Sequence, residues 1–147
     1  MAGVIIRCHA RVQIGPNRAG DEVIVGLGVD ITEVNRIEEA FSRHGQAFLR
    51  RVFTAKEIEY CERHRNRFER YAGRFAAKEA AMKALGTGWS QGVRWVDIEV
   101  ARLLTGQPTL KFYGATQEHA KRLGVRHARL SITHSGLTAL AQVILED

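Results

Sequence analysis

Two carboxylates and one lysine are the residues of this sequence best suited to phosphate chemistry, and they lie on two different predicted elements. Asp30 follows the apolar run at 23–29, and Glu79 and Lys83 lie four residues apart in the stretch that begins at Arg74. Carboxylates from two elements can hold Mg²⁺ while the ion keeps waters and binds a substrate phosphate. A nearby lysine adds positive charge where negative charge develops. These types and spacings therefore raise the hypothesis of a magnesium and phosphate site.

Each of these residues also has a purely structural interpretation. Glu79 and Lys83 are spaced to form a helical ion pair worth about 0.2–0.5 kcal/mol, and Asp30 is suited to a turn or a helix cap. Glu79 is flanked on its helical face by apolar residues, among them Phe75 and Met82. An unpaired charge buried there would be destabilising by several kcal/mol, so Glu79 needs a partner. The residues alone leave both alternatives open.

Two further motifs lie near the predicted site. The turn Gly86-Thr87-Gly88 predicts exposed amides that can approach a phosphate, although a helix C-cap is the simpler alternative. The sequence has no GxxxxGK[ST] motif. The glycines at 26 and 28 lack the third glycine of a dinucleotide fingerprint. His134 follows a β-branched strand and, taken alone, is typical of a structural hydrogen-bonding histidine.

The first half of the chain predicts a strand and then helices. The strand ends at Asp30, and Thr32 is the predicted cap of a helix from Glu33 to about residue 44, followed by a short helical piece at 47–51. Thr54 and Glu57 form a capping-box motif for a helix to about residue 64. Asn66 and Glu69 repeat that signal for a long helix. This helix ends at Leu85 before Gly86, is about 30 Å long, and is the predicted spine.

The second half changes to the period of strands. A hairpin is predicted from strands at 96–102 and 109–113, followed by a helix at 115–123 and two last strands at 128–133 and 139–145. This order indicates an α+β fold and not a parallel βαβ series. Residues 1–22, which contain a breaker-rich stretch at 15–21, are predicted to be a flexible N-terminal extension, and residues 23–147 the folded domain.

Composition restricts the class of protein. The chain has 147 residues, 45% of them hydrophobic, and a net charge of +6, which favours acidic partners. Its two cysteines form no CxxC pair, so neither a disulfide framework nor a zinc site is indicated. With 7% aromatic residues and no zinc-finger or basic-zipper signature, a nucleic-acid-binding module is the weaker alternative. The first apolar run is too short for a signal or a membrane span, which predicts a cytoplasmic protein.

Four segments together resemble one family, the holo-acyl-carrier-protein synthase family of phosphopantetheinyl transferases. They are GLGVDI at 26–31, FAAKEA at 75–80, KALGTG at 83–88 and SITHS at 131–135. Arg74 and the stretch 97–99 also fit, and the resemblance covers roughly residues 24–145. It implies a small antiparallel sheet packed on a long central helix, assembled as a trimer whose active sites are shared between subunits. The extension at 1–22 departs from the family pattern.

The resemblance also implies an activity: magnesium-dependent transfer of phosphopantetheine from coenzyme A to a serine of apo-acyl carrier protein, in support of fatty acid biosynthesis. The implied site residues have four roles. Asp30 and Glu79 are the implied magnesium ligands, and together with Lys83 they are the implied catalytic residues. The implied carrier-docking residues are Arg36 and Arg43. The implied coenzyme A contacts are Arg74, Lys83, Gly86, Thr87, Gly88 and His134. The acceptor of the serine proton stays open between the two carboxylates and a water on the metal. A coenzyme A-binding subunit without catalysis is a third alternative.

Overall fold

The computed structural model describes residues 23–88, 90 and 92–147. The predicted N-terminal extension at 1–22 lies outside the described residues, so its proposed flexibility stays a prediction. Within the described ranges, no helix is both long enough and apolar enough to cross a bilayer.

The described chain forms five strands, four α-helices and a short 3₁₀ turn. In chain order they are β1 (Ile24–Glu33), α1 (Val34–Val52), α2 (Ala55–Glu62), α3 (Arg67–Leu85), the 3₁₀ turn (Trp95–Asp97), β2 (Ile98–Arg102), β3 (Pro108–Phe112), α4 (Gly114–Arg122), β4 (His127–Ser135) and β5 (Thr138–Glu146). The predicted α+β class is confirmed. Each predicted strand and helix is present, with changes at several ends.

The first strand is longer than predicted. β1 passes through Asp30 and Thr32 and continues to Glu33, because its antiparallel pairing with β5 extends to the Glu33–Thr138 pair. The prediction that Thr32 caps the next helix is wrong. Thr32 is buried in β1, and the cap position belongs to Glu33, whose side chain makes no capping hydrogen bond. Strand pairing here extends the backbone beyond the point where local polarity indicated an end.

Helix ends follow local signals elsewhere. The Thr54 hydroxyl accepts a hydrogen bond from the Glu57 amide at 3.3 Å, and the Glu57 carboxylate accepts from the Thr54 amide at 2.8 Å, so the capping box is confirmed. The two helical pieces predicted before it form one kinked helix, α1, with Gly45 at φ 53° as the break. Asn66 occupies the cap position of α3 but donates to the Glu69 side chain and does not cap the backbone.

Three strands form an antiparallel sheet in the order β1-β5-β4, and β2 pairs with β3 as a separate hairpin. Helix α3 lies on one face of the three-stranded sheet. Its small residues pack there against the alternate residues of β5 that point inward, among them Ala141, Val143 and Leu145. The other side of α3 packs against α1 and α2 through a second buried cluster that includes Tyr71 and Ala72. The predicted spine helix is therefore the centre of the fold.

Candidate active site

Asp30 and Lys83 meet where β1 crosses the C-terminal half of α3. The Lys83 ammonium donates to Asp30 Oδ1 and to the Val29 carbonyl, both at 2.9 Å. The other Asp30 oxygen, Oδ2, accepts from the Thr32 hydroxyl at 3.0 Å. The Asp30 side chain is 16% exposed and that of Lys83 54% exposed. The pair therefore lies at the protein surface, within reach of a dissolved ligand.

Two glycines of β1 allow this contact. A Cβ atom on Gly28 would lie 1.9 Å from the Ala80 carbonyl oxygen, and one on Gly26 would lie 2.0 Å from the Ala84 carbonyl oxygen. Any side chain at these positions would push β1 away from α3. Gly26 and Gly28, which do not form a dinucleotide fingerprint, thus have a packing role. Their lack of side chains lets β1 approach α3 closely, and this brings Asp30 to the helix that carries Glu79 and Lys83.

Glu79 lies beside this pair, and its surroundings shift its pKa in opposite directions. Burial raises the pKa of Glu79, and the negative charge of Asp30 raises it further. The hydrogen bond from the Trp95 indole N–H to Glu79 Oε1, at 2.6 Å, lowers the pKa, as do the charges of Lys83 and Arg36. The alternative of a simple Glu79–Lys83 helical pair is wrong, because the Lys83 ammonium reaches across to β1 and bonds to Asp30.

The donor set fits a divalent ion that is shared with phosphate. Among the described residues, no group of three or more His, Cys, Asp or Glu side chains could hold a metal. Two carboxylates close enough for the charge of one to raise the pKa of the other suit Mg²⁺, which usually takes one or two carboxylates and completes its shell with waters and substrate phosphates. Asp30 and Glu79 are the residues that would hold such an ion.

Arg36 and Arg43 lie seven residues apart on α1, so both face nearly the same direction on that helix. Both are exposed. The charge of Arg36 lowers the pKa of Glu79, so this arginine borders the carboxylate site. Arg43 lies two turns further from the start of the helix. The pair forms a basic edge that leads away from the site along α1.

Arg74 and His134 form a second cluster, at the opposite half of α3. Arg74 is buried, its guanidinium lies over the Tyr60 ring at 4.0 Å, and its Nε atom has no hydrogen-bond partner. The ring of His134, on β4, lies against Gly73, where an added Cβ would be 2.8 Å from Nε2. Burial lowers the pKa of His134, and the charges of Arg70 and Arg74 lower it further while that of Glu69 raises it.

The structure therefore does not bring all the predicted coenzyme A contacts together within one chain. Arg74 is about 14 Å from Lys83 along the helix axis. His134 is on β4, the edge strand opposite the one that carries Asp30. Sequence order could not reveal the separation of His134 from Asp30, because it depends on which strands form the two edges of the sheet.

The turn after α3 also differs from its prediction. Gly86, at φ 69°, donates from its amide to the carbonyls of Lys83 and Met82, and the Thr87 amide donates to the Met82 carbonyl at 3.3 Å. These amides close the helix, so the prediction that they are exposed to a phosphate is wrong for two of the three residues. Thr87 is itself buried. Gly88, at φ 51°, is exposed.

Trp95 and a buried ion pair behind it were not among the site residues predicted from the sequence. The Lys78 ammonium is fully buried and donates to Glu57 Oε2 at 2.7 Å and to the Trp95 carbonyl at 2.9 Å. Desolvation lowers the pKa of Lys78, while the charge of Glu57 raises it. The apolar circumference of α3 was the one signal that Lys78 would be buried. No sequence signal identified its partner, 21 residues earlier.

Comparison with known proteins gives a consistent set of matches. A family model described as the 4′-phosphopantetheinyl transferase superfamily matches residues 26–139. A relative from Solibacter usitatus, named holo-[acyl-carrier-protein] synthase, is 55% identical over 125 residues, which are 85% of this chain and 100% of the relative. The crystal structure of the protein of that name from Neisseria meningitidis has a TM-score of 0.79 and 32% identity, covering 85% of this chain and 100% of the other.

A second solved structure is of interest for its ligand. It is a holo-(acyl-carrier-protein) synthase from Bacillus anthracis in complex with CoA (3′,5′-ADP). Its TM-score is 0.69 at 39% identity, and the match covers 84% of this chain and 97% of the other.

Proposed function

Because the chain belongs to the 4′-phosphopantetheinyl transferase superfamily, we propose that it transfers phosphopantetheine from coenzyme A to a serine of apo-acyl carrier protein, in support of fatty acid biosynthesis. The observation that carries this proposal is the meeting of Asp30, Glu79 and Lys83 across the β1–α3 contact. The relatives named above are holo-acyl-carrier-protein synthases. This membership favours the transferase over a nucleic-acid-binding module or a subunit that binds coenzyme A without catalysis.

In this proposal Asp30 and Glu79 are the residues that would hold Mg²⁺. When bound, the ion neutralises pyrophosphate oxygens and orients the reacting phosphate. Lys83 already binds the carboxylate of Asp30 through a side chain that is more than half exposed. A flexible ammonium in that position can turn to a phosphate oxygen, where its charge stabilises the developing negative charge.

The reaction is a displacement at phosphorus. The serine hydroxyl oxygen of the carrier forms a bond to the phosphorus that bears pantetheine, and the bond from that phosphorus to the bridging oxygen breaks. Adenosine 3′,5′-bisphosphate leaves with the bonding electron pair. The serine proton is lost in the same step, and Asp30 and Glu79 are two candidate acceptors for it.

We propose a homotrimer with shared active sites, and two observations support it. Leu27, Val29 and Ile31 are 57%, 43% and 60% exposed on the face of β1 that points away from α3, and an exposed apolar row of this kind is typical of an interface. The second is the distance between Lys83 and the Arg74–His134 cluster. Contact between neighbouring chains would allow the cluster of one chain to complete the coenzyme A site of the next. Sedimentation equilibrium tests the assembly.

The basic edge of α1 is the proposed dock for the carrier protein. Arg36 borders the carboxylate site and Arg43 continues the same face outward. An acidic carrier would be attracted to this edge, and its serine would be delivered beside Asp30 and Glu79. A cytoplasmic location stays a prediction.

The activity is tested by mass spectrometry of an apo-acyl carrier protein incubated with coenzyme A, Mg²⁺ and this protein. We expect the carrier to gain one phosphopantetheine group. Asp30→Asn and Glu79→Gln should abolish the gain while circular dichroism shows a retained fold. Glu118→Gln, which neutralises an exposed carboxylate on α4 that is paired with Lys121, is the matched control and should keep full activity. Full transfer by either site variant would refute the assignment of the metal site.

A further inference from the structure

Glu79 accepts a hydrogen bond from a residue that is not part of the predicted site. The indole N–H of Trp95 donates to Glu79 Oε1 at 2.6 Å. An indole nitrogen can only donate a hydrogen bond. It therefore binds one carboxylate oxygen of Glu79 and cannot accept a proton from the other carboxylate oxygen. The Trp95 ring also packs on Phe75, with ring centroids 5.5 Å apart at 47°. The indole therefore has a defined position from which it holds the carboxylate.

Trp95 is itself anchored at its backbone. Its carbonyl accepts from the buried Lys78 ammonium at 2.9 Å, and that ammonium also donates to Glu57 Oε2 at 2.7 Å. Glu57 is in turn bonded by the Val100 amide at 3.0 Å. The residue that holds Glu79 is thus connected through two fully buried charges to the start of α2 and to β2. The Lys78 ammonium also donates to the Ile98 carbonyl, so several buried hydrogen bonds hold the Trp95 backbone and its neighbours in place.

From these contacts we infer that Trp95 is a positioning residue for Glu79: its indole N–H orients the carboxylate so that the oxygen it does not hold is directed to the metal. The inference rests on the proposed function, in which Glu79 is a magnesium ligand. A glutamate side chain has three rotatable bonds, and fixing them before the metal arrives removes an entropy loss from binding. Outer partners of metal ligands commonly change metal affinity by about 10- to 100-fold when they are removed.

The test is a metal titration of the full chain. Mn²⁺ binding in the presence of coenzyme A is followed by electron paramagnetic resonance for the wild type, Trp95→Phe and Glu79→Gln. Phenylalanine keeps an aromatic ring against Phe75 and removes the N–H donor. We expect the Mn²⁺ dissociation constant of Trp95→Phe to rise about tenfold, while coenzyme A affinity without metal stays within twofold. Glu118→Gln, at an exposed carboxylate of α4 that is paired with Lys121, is the control and should bind Mn²⁺ like the wild type.

A spectroscopic measurement separates positioning from a merely structural role. The sequence has two tryptophans, and the indole ¹⁵N–¹H resonance of Trp95 is the one that remains in the spectrum of Trp89→Phe. In the wild type with coenzyme A it should shift when Mg²⁺ is added, and in Glu79→Gln it should not. This readout uses the native residue, so it decides the question even if Trp95→Phe fails to fold.

The outcomes distinguish the inference from the function on which it rests. If Glu79→Gln binds Mn²⁺ like the wild type, the proposed metal site is wrong. If Glu79→Gln loses the metal but Trp95→Phe keeps the wild-type dissociation constant, the metal site stands and the role of Trp95 is overturned. An indole resonance that is unmoved by Mg²⁺ in a wild type that binds the ion also overturns it.

Discussion

Replacing Gly28 by alanine should separate the two halves of the active site. The new Cβ atom would lie 1.9 Å from the Ala80 carbonyl oxygen, whereas ordinary contact begins near 3.4 Å. The Cβ position is fixed by the backbone of β1 and the carbonyl belongs to the backbone of α3, so no side-chain rotation relieves the overlap. β1 must therefore retreat from α3 by about 1.5 Å. Overpacking of this kind usually destabilises by about 1–3 kcal/mol, and we expect the upper end of that range.

The same displacement should reduce catalysis. Asp30 is two residues along β1 from Gly28, on the same face, and would move away from Glu79 and Lys83 together with the strand. A misplacement of about 1 Å can reduce the rate by about 100-fold. The assay is phosphopantetheine transfer followed by mass spectrometry, with the free energy of unfolding measured by urea at one fixed protein concentration, since assembly makes stability depend on concentration.

Gly73→Ala provides a matched comparison. Its Cβ would meet the His134 side chain at 2.8 Å, and a side chain can move away where a backbone carbonyl cannot. Alanine also gains about 1 kcal/mol over glycine inside a helix. We therefore expect Gly73→Ala to change the free energy of unfolding by less than about 1 kcal/mol. If Gly28→Ala were as stable as Gly73→Ala and kept wild-type activity, close β1–α3 contact would not be what builds the site.

Two further predictions concern buried charge and pH. Lys78→Met leaves Glu57 buried without its partner, so it should lose about 3–5 kcal/mol of unfolding free energy in urea, and Glu57→Gln added to it should recover part of that loss; equal stability of the single and double variants would contradict this. Burial lowers the pKa of His134 below its ordinary 6.5, so the unfolded chain takes up this proton first as the pH falls. Its stabilising contribution should be complete above about pH 6.5 and decline through the lowered folded pKa. The urea midpoint of His134→Gln should therefore decline less steeply than that of the wild type over this interval, and parallel profiles would contradict the assignment.

Local signals in the sequence determined most of the secondary structure. The Thr54 capping box and the Gly86 stop were predicted correctly because their hydrogen bonds join residues only a few positions apart. The β2–β3 hairpin was predicted for the same reason, since a short turn sets its register. Where the ends differed, as at β1, a distant strand supplied the hydrogen bonds that extended the element.

The residue types at the site could also be identified from the sequence, but their hydrogen-bond partners could not. Asp30, Glu79 and Lys83 were selected by type and spacing, and two carboxylates with a lysine suit a phosphate site in any fold. The partner of Lys83 is 53 residues away in sequence, and the indole that holds Glu79 is 16 residues away. Such pairings depend on which faces of the elements pack together.

Tertiary structure alone decided three features of this protein. It made Gly26 and Gly28 the contact points of β1 on α3, buried Lys78 with Glu57, and separated the Arg74–His134 cluster from Lys83. Each follows from close packing of elements distant in sequence, where the space left for a side chain depends on both surfaces at once. A single sequence shows which residues each element carries but not which surface of another element they pack against. It therefore identifies the reactive groups, and the fold decides their arrangement.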